Sequence, residues 1–173
     1  MYKKRDLIDG AFYHVTSRTN NRSRVFETKL GRKIMLITLQ DAKDKFHFRL
    51  ANFCVMPTHI HLLIQPAEGT DLSKIMHWIK LRAAKRWNFI HCSIDHLWGQ
   101  RFYARAVKDD LEFEYVMNYI DQNPVAAELV SEPVQWNASG AYYRANKLEL
   151  IDYAPFDCKQ NIKLLPPIPF FGR

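Results

Sequence analysis

Apolar positions along the 173-residue chain change their spacing several times, and each change marks an element. Residues 11–17, Ala-Phe-Tyr-His-Val-Thr-Ser, are rich in β-branched and aromatic types and predict a strand. The polar run from Arg18 to Arg24 reads as a loop. Over residues 28–45, Leu30, Ile34, Ile37 and Leu39 recur among Lys, Arg and Asp at helical spacing. A strand pattern returns over residues 46–56, Pro57-Thr58 interrupts it, and His59 to Gln65 forms another apolar strand. Thr70 or Asp71 can cap a helix running to about Phe89. Residues 101–107 predict a fourth strand. Asp109 and Asp110 then open a helix with acids where its dipole favours them. Pro124 is expected to end or kink that helix, because the residue before proline avoids the α region, with a shorter helix or turn from Val125 to Val130.

The resulting order is strand, helix, strand, strand, helix, strand, helix. It predicts an α+β domain, a ferredoxin-like split β-α-β antiparallel sheet with helices on one face. Residues 1–140 are expected to form this domain and 141–173 a C-terminal extension. The apolar, proline-rich end, Leu164 to Phe171, fits neither a regular helix nor a central strand. Left free it would be an aggregation liability, so it is expected to dock on the domain, where it could gate access to a nucleic-acid groove.

Composition narrows the function. At 47% hydrophobic and 13% aromatic, the chain can fill an ordinary core, which argues against disorder. No apolar run reaches the length of a membrane span, and the first residues lack the apolar centre of a signal peptide. Cys54, Cys92 and Cys158 are odd in number and widely spaced, so neither a disulfide framework nor a CxxC metal site is expected; a reducing cytoplasm is the expected compartment. The net charge of +7 is uneven: residues 1–108 hold 20 basic and 8 acidic residues, whereas 109–173 hold 5 and 10. A one-sided positive field suits a polyanion, most often nucleic acid.

Two groups of residues could carry chemistry. In a strand, His59 and His61 project to one face while Ile60 packs the other way. Two neutral imidazoles there are two ligands for a divalent metal, although a bare H-x-H is also often a chance surface pair. On a helix, Tyr115, Tyr119 and Asn123 share a face at intervals of four. A phenol beside an amide oxygen could be a nucleophile beside a metal ligand; equally, it could be a core aromatic and a helix cap.

Read in order, these and three further segments resemble a known family. The segments are Phe12-Tyr13-His14-Val15-Thr16-Ser17-Arg18, Val55-Met56-Pro57-Thr58-His59-Ile60-His61-Leu62-Leu63, Leu97-Trp98-Gly99-Gln100-Arg101-Phe102, Tyr119-Ile120-Asp121-Gln122-Asn123-Pro124-Val125 and Trp136-Asn137-Ala138-Ser139. They are similar to the single-tyrosine HUH transposases, most of all the REP-associated tyrosine transposases. The resemblance implies that His59 and His61 hold Mg²⁺ or Mn²⁺, that Asn123 is a third ligand, and that Tyr119 is the nucleophile; Tyr115, one turn away on the same helix face, is the backup nucleophile. It implies attack on a phosphodiester of single-stranded, hairpin-forming DNA, leaving a 5′-phosphotyrosine and a free 3′-OH. A phenol, with a pKa of about 10, is a poor nucleophile at neutral pH, and a metal that stabilises charge on the phosphate would help it.

The basic residues then acquire a task. Lys74, Lys80, Arg82, Lys85 and Arg86 could line a phosphate-binding helix face, with a second contact from Arg18, Arg22 and Arg24. A monomer is expected, with a homodimer as the alternative. Two competing readings are a domesticated, non-cutting hairpin-binding protein and a hydrolase using a metal-bound water.

Overall fold

The structure is a computed structural model that describes residue 8 and residues 10–152. Its elements are β1 (Tyr13–Arg18), α1 (Lys29–Lys45), β2 (Phe48–Met56), β3 (His59–Pro66), α2 (Leu72–His91), β4 (Tyr103–Ala106), α3 (Asp110–Ala126) and α4 (Gly140–Ala145), with short 3-10 turns between. The four strands pair antiparallel in the order β2-β3-β1-β4, the split β-α-β topology expected from the sequence.

Strand alternation divides the core in two. Tyr13, Val15, Ile60, Leu62 and Ile64 pack against Met35 and Leu39 of α1 and Leu72, Ile75, Met76 and Ile79 of α2. Both helices of the split unit therefore share one face. The opposite face carries a second apolar cluster, in which Phe12, Cys54, Met56 and Leu63 meet Val116 and Ile120 of α3. The tyrosine-bearing helix thus lies on the face toward which His59 and His61 alternate.

The helices begin where side chains satisfy open backbone donors. Thr28 accepts from Gly31 N, Asp71 from Ser73 N, and Asp109 from Glu112 N. Pro124 does not end α3, which runs two residues past it. Proline removes one ladder bond, and in the last turn little ladder remains to be lost; Ala127 N donates to Asn123 O and Leu129 N to Pro124 O, closing the end.

Gly31 is fixed by close approach. A Cβ there would stand 2.0 Å from the Val25 carbonyl oxygen, a backbone atom with no rotamer to swing away. Gly31→Ala is expected to destabilise the domain by roughly 1–3 kcal/mol, read as a lowered urea midpoint. An unchanged midpoint would mean that the loop before α1 shifts at no cost.

The segment after α3 also belongs to the packing. Trp136 Nε1 donates to Val55 O at 3.0 Å, and Ser139 bridges to Cys54 on edge strand β2. Ala138, Leu150 and Ile151 are buried in the α1/α2 core, so the chain packs as one body past residue 140, through residue 152. The expected docking of the apolar C-terminal run concerns residues outside those described.

Candidate functional site

His61 sits on the central strand β3, across the sheet from Thr16 of β1 and Cys54 of β2. It is 4% exposed. His59 lies two residues earlier on the same face, at the rim, and their rings meet edge-on with centroids 4.9 Å apart. The sheet adds a third imidazole, because His14 of β1 projects to the same side. Its ring lies only 19° from the plane of the His61 ring with centroids 5.2 Å apart, so that His14 Nε2 meets His61 Nδ1 edge to edge at 2.9 Å. Thr16 Oγ1 is 3.3 Å from that same Nδ1. At His59 the Nδ1 is met by Thr58 Oγ1, 3.1 Å away in the β2–β3 turn.

α3 lays Tyr119 across this group. Its ring stands edge-on to His61 at 5.6 Å and to His14 at 5.7 Å. Tyr119 is nonetheless 38% exposed, so its side chain is open to solvent. Tyr115 lies one turn earlier on the same helix and is also exposed. Asn123 lies one turn later; its Nδ2 donates to Tyr119 O at 2.6 Å, which leaves the amide oxygen as the atom able to serve a cation.

The three imidazoles are held neutral. Burial lowers His14 to about 4, with the nearby Arg105 guanidinium adding to the effect. Burial and Arg18 lower His59 to about 4. Burial, then His14, His59 and Arg18, push His61 well below its ordinary value. Neutral imidazoles offer lone pairs, the form a metal requires. His61 Nε2 is buried and has no hydrogen-bond partner among the described residues. Two same-face imidazoles, each with Nδ1 occupied and one with an orphaned buried Nε2, fit a divalent cation; Asn123, one turn beyond Tyr119 on α3, has an amide oxygen to offer as a further donor. Among the described residues no group of three or more His, Cys, Asp or Glu side chains could hold a metal by itself, so further ligands would have to be amide oxygen, water or substrate oxygen.

The depressed imidazoles also predict a pH dependence. Between about pH 4 and the ordinary histidine value of 6.5, the unfolded chain binds protons that folded His14 and His59 do not. Stability of the metal-free protein therefore falls as pH falls through that window, by roughly tenfold in the folding constant per pH unit per imidazole. Urea midpoints at pH 7 and pH 5 measure this; equal midpoints would mean that the histidines are solvated.

The basic residues divide into different surroundings. Arg18 and Arg22 line a cleft of about 450 Å³ with Asn20, Gln100, Arg101 and Tyr103, beside the His59 end of the sheet. Gly99 also lines the cleft, and its N–H donates to Arg18 O; the preceding Trp98 is anchored to α2, its Nε1 donating to Lys80 O at 2.8 Å. Arg24 instead makes a two-pronged ion pair with Glu27. Arg86 ties α2 to α1 through Thr38 and Asp41. Lys74, Arg82 and Lys85 are exposed, and Lys80 Nζ donates to Gln100 O. All five α2 cations belong to the helix packed on the sheet face opposite the histidines; of them Lys80 reaches the Gln100 side of the Arg18 cleft, and Lys74, Arg82 and Lys85 stay exposed on that other layer.

Residues 8–123 match the family model described as "Transposase IS200 like". The chain belongs to the IS200-like transposase family. It is 24% identical over 156 residues to the REP-associated tyrosine transposase of Escherichia coli K12, covering 88% of this chain and 90% of that protein. Its fold is similar to that of a REP-associated tyrosine transposase solved bound to a REP hairpin, with a TM-score of 0.71, 24% identity, and coverage of 92% of this chain and 94% of that one. Among the described residues of this transposase-family chain, no helix is long and apolar enough to cross a membrane.

His14, Thr16 and Arg105 were not among the expected site residues. The signal for His14 was strand alternation: with Tyr13 and Val15 in the core, residue 14 must face the other way. What could not be read from the sequence was that β1 lies beside β3.

Proposed function

We propose that the protein is a metal-dependent nickase and strand transferase of single-stranded, hairpin-forming DNA, acting through Tyr119. The observation that carries this reading is the contact of the exposed Tyr119 ring with His61, whose buried Nε2 has no partner among the described residues. Family membership and a relative bound to a REP hairpin support DNA as the substrate.

His59, His61 and Asn123 would hold Mg²⁺ or Mn²⁺, which when bound supplies Lewis-acid stabilisation of charge on the phosphate. Tyr119 Oη attacks the phosphorus, the P–O3′ bond breaks, and the phenolic proton leaves as the 3′ oxygen becomes a hydroxyl. The product is a 5′-phosphotyrosine, and a later 3′-OH reverses the step, so rejoining needs no nucleotide triphosphate. Arg18 and Arg22 would bind backbone phosphates beside the site, and α2 offers Lys74, Arg82 and Lys85 for a second stretch of DNA. Tyr119 meets His61 of its own chain, so the proposed site needs no side chain from a second copy, which supports a monomer.

Hairpin oligonucleotides drawn from the gene's flanks, labelled at either end, test the reading in Mn²⁺. The 3′-side fragment should migrate with the protein on a denaturing gel, and the 5′-side fragment should be released. His59→Ala should abolish both. Salt-sensitive binding with no adduct would favour the non-cutting alternative.

A further inference from the structure

We infer that His14 is a positioning residue that sets the tautomer of His61, keeping a lone pair on His61 Nε2 for the divalent cation. This rests on the reading of His59 and His61 as ligands. The 2.9 Å separation between His14 Nε2 and His61 Nδ1 holds one proton between two nitrogens, so the two ring tautomers are locked together. If that proton belongs to His61 Nδ1, then His61 Nε2 carries a lone pair. If it belongs to His14, then His61 Nε2 carries a hydrogen, and a buried N–H faces no acceptor among the described residues.

The surroundings favour the first arrangement. Orphaned buried N–H groups are rarer in folded proteins than under-satisfied acceptors. Thr16 Oγ1, 3.3 Å from His61 Nδ1, can accept from a shared Nδ1–H. In the opposite tautomer His14 and Thr16 would compete to donate to one lone pair. Metal-bound histidines ordinarily give their second ring N–H to a neighbouring acceptor, and that partner orients the ring and strengthens the ligand. His14 is placed to be that acceptor, from a neighbouring strand and with its ring nearly coplanar with the one it orients. At His59 a hydroxyl serves instead, and a hydroxyl can accept or donate with equal ease. His61, deeper in the sheet, has the imidazole partner.

The test separates this from the metal reading. Long-range proton–nitrogen spectra of the metal-free, ¹⁵N-histidine-labelled protein at neutral pH report the tautomer directly. Wild-type His61 should show Nδ1–H, and His14→Gln, which keeps an acceptor, should preserve it. His14→Phe, which keeps a ring and removes the acceptor, leaves Nδ1 only the Thr16 hydroxyl, which can donate as readily as accept, so His61 should shift toward Nε2–H. Mn²⁺ binding, followed by the paramagnetic signal of free ion, should weaken roughly 10- to 100-fold in His14→Phe and recover to within a few-fold of wild type in His14→Gln. His61 found as Nε2–H in the wild type, or unchanged in a folded His14→Phe protein, overturns the assignment. If the wild type shows Nδ1–H but binds no Mn²⁺, the metal reading fails and the cation's part of the inference with it, while His14's control of the tautomer stands. Should His14→Phe not fold, the wild-type spectrum and His14→Gln decide.

Discussion

Tyr119→Phe is expected to remove cleavage and the covalent adduct, with a loss in rate of at least about 10³-fold. DNA binding should stay within a few-fold and the thermal midpoint should barely move. The reason lies in how the side chain is used. Its contacts with His14 and His61 are made by the ring, and phenylalanine keeps the ring. What is lost is the oxygen that must form the bond to phosphorus. A general effect on folding or binding would instead lower all three measurements together. Single-turnover cleavage, hairpin binding and a thermal melt on the same preparation give the comparison. Cleavage that persists in Tyr119→Phe but disappears in Tyr115→Phe would move the nucleophile one turn earlier on α3.

Arg144→Ala should cost roughly 2–4 kcal/mol in stability and slow cleavage by roughly 10- to 100-fold, although Arg144 touches none of the proposed catalytic groups. A β-bulge between Leu50 and Asn52 aims Asn52 toward α3. Fully buried, Asn52 donates to Met117 O at 3.1 Å and to Asp121 Oδ1 at 2.9 Å. Its own oxygen accepts from Arg144 Nη1 at 3.2 Å and from Phe53 N at 2.8 Å. Arg144 closes the network with an ion pair to Asp121, two residues beyond the nucleophile. The helix bearing Tyr119 is therefore held to the sheet by polar bonds as well as by Val116 and Ile120. Removing the guanidinium leaves a largely buried carboxylate unpaired and frees that end of α3. A thermal midpoint lowered by roughly 5–10 °C with slowed cleavage is the expected pair of results. A lowered midpoint with full cleavage rate would show that Tyr119 keeps its place without the clamp.

The same network shows why sequence reading stopped short of residue 152. The pattern of apolar positions weakens after Pro133, and short segments without periodicity read as an extension. Asn52 and Arg144 are 92 positions apart, and no local pattern links a polar residue in a strand to a basic one in a six-residue helix. Gly140 makes the same point: a Cβ there would stand 1.9 Å from Asn52 Oδ1, a demand set by the partner and not by the helix. The cations of α2 were similarly legible as a basic helix face, but not as one on the layer away from the histidines. Arg24 pairs with Glu27 only three residues on, whereas Arg86 pairs with Asp41 across 45 positions, a partner that only the fold supplies.

The sequence by itself determined the four strands, the first three helices, their order and the two chemical groups. Periods of two and of about 3.6, helix caps and the order of the motifs are properties of the local chain, and they survive without knowledge of any neighbour. Tertiary structure alone decided which groups meet. Strand order put β1 beside β3, which brought His14 to His61 across 47 residues. Packing of α3 on the sheet face left uncovered by α1 and α2 brought Tyr119 to both. Burial in that layer then set the charge state of the imidazoles, because desolvation depends on everything that surrounds a side chain and not on the residues beside it in the chain.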